Sequence, residues 1–278
     1  MAGSERPRLA ITLGDPAGIG PEVVLKALTH EDVYAQADPL LIGDRRVLER
    51  TVEALHLPLT INAVADVQQA TFTPGTVTVL DLENADPTSF AVGEESAIAG
   101  SAAVDYVFRA CDLAMAGEVD AIVTAPLNKA AMNMAGYTYA GHTELLTERT
   151  NAPRVSMLLI GPGLRIVHVS THVSLKNAIA RVTPQRVDEV IQLAHDACRA
   201  LGIPEPRIAV AGLNPHASEG GLFGNEEAES IIPAIASARA RGLNVSDPQP
   251  PVTVFLRATK GHYDIVVAQY HDQGHIPM

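Results

Sequence analysis

The chain has 278 residues, of which 47% are hydrophobic and 19% charged, a composition typical of a globular protein with one large domain or two ordinary ones. Its formal net charge of −12 argues against binding to nucleic acid or to anionic membranes, because both require a basic surface. The sequence contains neither an apolar run of membrane-spanning length nor the apolar core of a signal peptide, so we expect a cytoplasmic protein.

Short apolar runs alternate with amphipathic stretches along the chain. The apolar runs predict strands at 9–14, 40–43, 77–80, 121–124, 156–160, 164–170, 207–212 and 263–268. The amphipathic stretches predict helices at 21–28, 45–55, 94–116, 128–135, 184–201 and 226–241. This alternation indicates an α/β fold with a mostly parallel sheet, in which active sites gather beyond the carboxyl ends of the strands. The proline-rich segment 246–251 predicts a surface loop.

A glycine-rich segment, GDPAGIGPE at 14–22, follows the first predicted strand. Pro21 suits the first position of a helix, and the glycines allow the backbone to approach a ligand. The glycine spacing differs from the dinucleotide fingerprint G-x-G-x-x-G, although Asp44 could imitate the ribose-binding acid of that fold. A tight turn between strand and helix is the alternative interpretation.

Two later segments carry candidate polar groups. Lys129, in TAPLNK, could bind a carboxylate or act as an acid or base, although an ordinary solvated lysine fits equally well. In GHTELL, Thr143 predicts a helix N-cap and follows Gly141 and His142. A helix start with a hydroxyl, an imidazole and free N–H groups can bind phosphate, and a simple cap is the alternative.

Three histidines each follow a predicted strand. They are His172, His216 and His271, and three imidazoles can hold a divalent cation with open coordination positions. Their wide separation matches no local zinc motif, so a metal site remains one of several interpretations. His168 lies inside a predicted strand and is expected in the core. Surface positions are expected for His30, His56, His195 and His262.

Six segments in order carry a resemblance to a known family. They resemble the 4-hydroxythreonine-4-phosphate dehydrogenase family, and they are ITLGDPAGIGPE, TAPLNK, GHTELL, STHVSL, GLNPHASEGGLFGNEE and YHDQGHIPM. The resemblance implies an α/β fold of two α/β/α domains around a cleft, similar to isocitrate and isopropylmalate dehydrogenases. We expect the first domain at 1–127 and the second, with most of the metal site and the dimer contacts, at 128–278.

The resemblance also implies roles for particular residues. His172, His216 and His271 match the family's ligands for one divalent metal (Zn, Mg, Mn or Co), in a site shared across the interface of a homodimer. His142 and Thr143 match its substrate contacts. The remaining implied roles are NAD or NADP binding near Asn214, Gly220 and Gly221, and proton transfer by Lys129 or Asp272. The family's substrate-binding lysine, asparagine and arginine, and the return segment of its first domain, would follow Met278.

The implied reaction is the oxidation of the 3-hydroxyl of a phosphorylated four-carbon hydroxy acid, 4-phospho-D-threonate or 4-phospho-D-erythronate, to a β-keto acid that loses carbon dioxide. STHVSL and HDQGHIP resemble this sugar-acid subgroup, whereas ASEG and GLRIVHV are similar to the terephthalate cis-dihydrodiol dehydrogenases. GHTELL favours a phosphorylated substrate. The alternatives are 4-phosphohydroxy-L-threonine oxidation in pyridoxal phosphate biosynthesis, terephthalate cis-dihydrodiol oxidation and an inactive metal-binding paralogue.

Overall fold

The computed structural model describes residues 6–278, and the chain forms two compact units. The first unit ends at Pro153, and the second is Arg154–Met278. Each unit contains one five-stranded sheet. Within residues 6–278, no helix combines the length and the apolar character that crossing a bilayer requires.

The first unit is built on a parallel sheet with the strand order β3-β4-β2-β1-β5. Its strands are β1 (Arg8–Thr12), β2 (Asp38–Gly43), β3 (Thr60–Val64), β4 (Thr76–Asp81) and β5 (Ala121–Thr124). Its helices are α1 (Gly20–Ala27), α2 (Glu31–Gln36), α3 (Arg45–Leu55), α4 (Ala97–Met115), α5 (Lys129–Met134) and α6 (His142–Thr150). The central strand β2 is almost entirely apolar because its side chains are buried on both faces of the sheet.

The second unit has the strand order β6-β7-β10-β8-β9, in which only β6 is antiparallel to its neighbour. Its strands are β6 (Leu158–Gly161), β7 (Leu164–His168), β8 (Ile208–Ala211), β9 (Val245–Gln249) and β10 (Ile265–Ala268). Its helices are α7 (Leu175–Arg181), α8 (Pro184–Ala200), α9 (Ile232–Ala240), α10 (Pro251–Thr259) and α11 (His271–His275), and a π-helical turn at Glu227–Ile231 precedes α9. The strands β8 and β10 are fully buried, as expected for a sheet covered on both faces.

The predicted α/β fold is confirmed, and each predicted strand overlaps a strand of the structure. Two edge strands, β3 and β9, escaped prediction because their side chains are only partly buried and give no continuous apolar run. The prediction of a loop at 246–251 was therefore wrong in part, since β9 continues through Pro248 to Gln249. A proline is tolerated there because β9 lies at the edge of the sheet, where one side makes no ladder.

The boundary between the units lies later in the chain than the predicted boundary at residue 127. Helices α5 and α6 pack on α4 of the first unit through a fully buried apolar cluster. That cluster consists of Val104, Val107, Cys111, Met132 and Leu145. The segment 128–153 thus belongs to the first unit, because burying the apolar side chains of α5 and α6 requires α4.

Candidate functional site

The three histidines predicted as metal ligands follow three neighbouring parallel strands of the second unit. β10 pairs with β7 on one side and with β8 on the other, so the carboxyl ends of these strands lie at the same edge of the sheet. His172 follows β7, His271 follows β10 as the first residue of α11, and His216 follows β8. The order β7-β10-β8 thus places all three histidines at one edge.

His172 and His271 line one cavity of about 380 Å³, and their ring centroids are 5.9 Å apart. His216 is not among the described residues that line this cavity. The centroid of its ring lies 6.1 Å from that of the Phe223 ring. Among residues 6–278, no three His, Cys, Asp or Glu side chains lie close enough to hold one metal ion. The structure therefore brings two of the three predicted ligands together and leaves the third outside the cavity.

Asp272 and His275 fix the ring of His271. His271 Nδ1 lies 2.7 Å from Asp272 Oδ1, so the carboxylate accepts the Nδ1–H and leaves Nε2 with a free lone pair. The ring of His275 stacks on that of His271 with 3.7 Å between centroids, and His275 Nδ1 donates to the carbonyl of His271 at 2.9 Å. The side chain of Asp272, predicted to handle a proton, is exposed and contacts His271.

The prediction that His168 belongs to the core is confirmed, since it is only 1% exposed. Its Nδ1 lies 3.3 Å from the carbonyl of Met157. Burial lowers the pKa of His168, and this hydrogen bond offsets part of the effect. Of the histidines expected at the surface, His30, His56 and His262 are exposed, and His195 is half-buried. His168 is therefore a neutral core group, and α11 packs against it at Gly274.

The segment after β8 has an unusual backbone. His216, Ala217, Ser218, Glu219 and Gly220 all have positive φ angles, between 47° and 70°. A left-handed conformation costs a non-glycine residue about 1–2 kcal/mol, so surrounding contacts have to hold this segment in place. Such backbone strain is found most often at functional sites.

Asn214, predicted as a cofactor contact, is engaged within the protein. Its Nδ2 donates to Glu226 Oε2 at 2.7 Å and to Glu227 Oε2 at 2.9 Å, and its backbone N–H donates to Glu227 Oε1 at 2.8 Å. Asn214 thus presents only its Oδ1 to a ligand, whereas Gly220 and Gly221 are exposed and offer their backbone. Sequence reasoning missed Glu227, a buried acid whose signal was the GNEE that ends the glycine-rich segment.

The predicted substrate contacts lie at the start of α6 in the first unit. The N-cap of α6 is Gly141 rather than Thr143, so the prediction of a Thr143 cap was wrong by two positions. Gly141 takes the cap because its extended backbone already lets its carbonyl accept from the N–H of Leu145, at 3.4 Å. His142 and Thr143 are thus the first two helical residues, and the hydroxyl of Thr143 is exposed.

His142 is half-buried beside Ala125, which directly follows β5. Burial lowers the pKa of His142, and the backbone of Ala125 offsets part of the effect. Its Nε2 is buried without a hydrogen-bond partner among residues 6–278. A neutral imidazole with an unengaged nitrogen, at a helix N-terminus with free N–H groups, can bind an anionic group.

Two other sequence candidates of the first unit, Asp44 and the glycine-rich segment, have structural roles. Asp44 is fully buried, caps α3 and accepts hydrogen bonds from Arg46 and from the N–H of Ala85, so it is unavailable to a ribose. The glycine-rich segment 14–22 forms the tight turn into α1, with Gly14 at φ 69° and the N–H of Asp15 donating to Pro126. Lys129 is exposed at the first position of α5. Its role in proton transfer stays a prediction.

The family model described as "Pyridoxal phosphate biosynthetic protein PdxA" matches residues 35–278. A D-threonate 4-phosphate dehydrogenase of Cupriavidus necator is 47% identical, over 98% of this chain and 82% of its own length. The crystal structure of a 4-hydroxythreonine-4-phosphate dehydrogenase from Burkholderia phymatum matches with a TM-score of 0.91 at 46% identity, over 99% of this chain and 83% of its own.

The chain is also similar to the crystal structure of a terephthalate 1,2-cis-dihydrodiol dehydrogenase from Burkholderia xenovorans. That match has a TM-score of 0.71 at 34% identity and covers 98% of this chain and 82% of the other. The matches to the relative and to the two crystal structures span nearly the whole chain, and with the family model they confirm the resemblance carried by the sequence motifs. The chain belongs to the PdxA family.

Proposed function

We propose that the chain is a metal-dependent NAD or NADP dehydrogenase that oxidises the 3-hydroxyl of 4-phospho-D-threonate or 4-phospho-D-erythronate. The product is a β-keto acid, which loses carbon dioxide. The observation that carries this proposal is the order β7-β10-β8, which puts a histidine beyond the carboxyl end of each of three adjacent strands. The name of the Cupriavidus necator relative supports the choice of substrate.

The proposed metal ligands are His172, His271 and His216. The donor set fits a divalent cation such as zinc, because zinc is commonly bound by imidazole nitrogens, and the Nε2 of His271 is left open by the bond from Nδ1 to Asp272. His172 faces the same cavity, whereas His216 has to turn toward it to complete the set. We propose that a homodimer, in the cytoplasm, completes the site from the partner subunit.

When bound, the cation stabilises the alkoxide that develops on the substrate, and NAD or NADP accepts the hydride. The chain's own residues supply the rest. Asp272 holds the ring of His271 in one orientation through its 2.7 Å contact with Nδ1. Lys129 or Asp272 accepts the hydroxyl proton, since both side chains are exposed to the solvent that carries the proton away.

The phosphate end of the substrate is assigned to the start of α6. His142 offers a buried, unpartnered Nε2, Thr143 offers an exposed hydroxyl, and the first turn offers free backbone N–H groups. These donors are mostly neutral, which suits a chain with a net charge of −12 that has to hold an anion by local hydrogen bonds. The cofactor is assigned to the exposed backbone of Gly220 and Gly221, with Asn214 at the base of the segment.

The second candidate function is the oxidation of 4-phosphohydroxy-L-threonine in pyridoxal phosphate biosynthesis. The name of the Burkholderia phymatum structure favours it, at an identity nearly equal to that of the threonate relative. A dihydrodiol substrate carries no phosphate for His142 and Thr143, and that match is also weaker, at 34% identity. An inactive metal-binding paralogue is the remaining alternative.

The test is the reduction of NAD and of NADP with each of the three phosphorylated substrates, at saturating Mg²⁺, Mn²⁺, Zn²⁺ or Co²⁺. We expect turnover on 4-phospho-D-threonate or 4-phospho-D-erythronate, lost in H172A and H271A and kept in the matched control H262A, whose histidine is exposed. Turnover only on 4-phosphohydroxy-L-threonine would select the second function. An H216A variant with full activity would remove His216 from the ligand set.

A further inference from the structure

Glu227 is a buried acid outside the predicted site. Its side chain is in the π-helical turn that precedes α9, and the residue is only 1% exposed. Oε1 accepts from the backbone N–H groups of Leu213 and Asn214, both at 2.8 Å, and Oε2 accepts from Nδ2 of Asn214 at 2.9 Å. These three donors satisfy both oxygens of the buried carboxyl group, as a buried polar group requires.

Residue 227 has to accept hydrogen bonds on both of its terminal side-chain atoms and can donate none to these partners. A carboxylate accepts on both oxygens, whereas a glutamine would turn an NH₂ group toward the Nδ2 of Asn214. Glu226 repeats the arrangement, since its Oε2 accepts from the same Nδ2 at 2.7 Å, and this bond lowers the pKa of Glu226. We call Asn214, Glu226 and Glu227 the amide clasp.

The amide clasp closes both ends of the segment that contains His216. A Cβ on Gly212 would lie 2.7 Å from Ala217 Cα and 3.1 Å from Glu227 Oε1, so the segment folds back against the end of β8. A Cβ on Gly224 would lie 2.6 Å from Glu226 Oε2. The backbone therefore passes close to the clasp both before the His216 segment, at Gly212, and after it, at Gly224, and only glycine fits at these two positions.

Inside this closure lie the four non-glycine residues with left-handed backbone, His216 to Glu219. Such a run persists only where surrounding contacts over-determine it. Asn214 stands two residues before His216, so the direction in which the chain enters the left-handed run depends on the bonds of Asn214. The extra residue of the π-helical turn is a feature found frequently at functional sites.

We propose that Glu227 is a positioning residue, which acts through Asn214 to hold the backbone of His216 and of the exposed Gly220–Gly221 segment in its working conformation. This proposal rests on the proposed function, because the working conformation is the one in which His216 binds the metal and Gly220–Gly221 bind the cofactor. The hydrogen bonds and the left-handed run stand independently of that function.

The test compares E227Q with E229Q, a matched control in the same π-helical turn whose side chain is exposed. In E227Q we expect the amides of Leu213 and Asn214 to exchange hydrogen at least about 10-fold faster, and kcat/KM to fall at least about 10-fold. We expect E229Q to match the wild type in both measurements. Unchanged exchange in E227Q would overturn the inference.

A reversal of hydrogen-bond polarity separates positioning from general stability. In N214D/E226Q/E227Q, the carboxylate at 214 accepts from the NH₂ groups of both glutamines, so the two side-chain bonds of the clasp return with donor and acceptor exchanged. The Oε1 of the glutamine at 227 still accepts from the backbone N–H groups of residues 213 and 214. We expect slow exchange and most of the kcat/KM to return. A folded triple variant that exchanges as fast as E227Q would refute the inference, whereas a wild-type protein inactive on every substrate would refute only the proposed function.

Discussion

Gly274, the fourth residue of α11, offers a direct test of how tightly His271 is held. A Cβ at this position would lie 2.9 Å from Ile166 Cγ2 and 2.9 Å from His168 Cδ2, and closer still to His168 Nε2. Ile166 and His168 belong to β7 and are 0% and 1% exposed, so neither can move aside. In G274A, α11 therefore has to rise from the sheet by about 1 Å, the distance that restores ordinary van der Waals contact.

Two effects set the expected stability of G274A. Overpacking of a core costs about 1–3 kcal/mol, and the better helix propensity of alanine returns up to about 1 kcal/mol. We therefore expect a net destabilisation of about 1–2 kcal/mol. The effect on the proposed activity is larger, because a displacement of about 1 Å in a catalytic group can lower the rate about 100-fold. His271, three residues before Gly274 on the same short helix, moves with it.

The assay has two parts. Because the chain has no tryptophan, urea unfolding is followed by circular dichroism, and activity is followed by NAD reduction. The matched control is G161A, where the added Cβ would meet only the flexible end of Met278, at 2.8 Å from Cε. We expect G161A to behave as the wild type. If G274A kept both its stability and its full turnover, the close packing of α11 on β7 would be refuted.

Four further predictions concern single titratable groups. Burial raises the pKa of Asp15, so its charged form is disfavoured in the folded state; the resulting loss of stability grows as the pH rises above 3.8. D15N keeps the acceptor for the N–H of Ala17 and should therefore raise the free energy of unfolding at pH 7. D86N should lower the free energy of unfolding at pH 7, because the N–H and hydroxyl of Thr88 stabilise the charged form of Asp86 and lower its pKa. Burial lowers the pKa of His142, so as the pH falls the unfolded chain takes up a proton at this residue before the folded chain does, and the protein loses stability below pH 6.5. H142Q should therefore flatten the change in unfolding free energy between pH 7.5 and 5.5. An unchanged slope would contradict this origin. D272N should weaken Zn²⁺ binding in calorimetric titrations about 10- to 100-fold with an unchanged melting temperature, and equal affinity would remove Asp272 from the orientation of His271.

Periodicity was enough to predict the elements that are buried on both faces. β2, β8 and β10 are apolar throughout, and α3 begins and ends at its predicted residues. The edge strands β3 and β9 could not be predicted, because partial burial leaves no apolar run and β9 contains a proline. The later boundary between the units depends on helix packing between distant parts of the chain, which no local pattern records.

The candidate site was predictable in its residue types but not in its geometry. A histidine after a buried strand is a local signal, and the sequence gives it for His172, His216 and His271. The adjacency of β7, β10 and β8 is a long-range property, and so is the burial of Glu227 under the segment that it binds. The six motifs supplied the family where spacing alone left a metal site undecided.

The strand order of the second sheet has a consequence for how this protein is made. β10 lies between β7 and β8 but follows both in the chain, so during synthesis the two earlier strands emerge with a gap between them. Neither β7 nor β8 can form its hydrogen bonds to β10 until Ile265–Ala268 has left the ribosome and inserted between them. Until β10 emerges, β7 and β8 of the nascent second unit each keep one unpaired strand edge, which is a site where other chains can pair and aggregate.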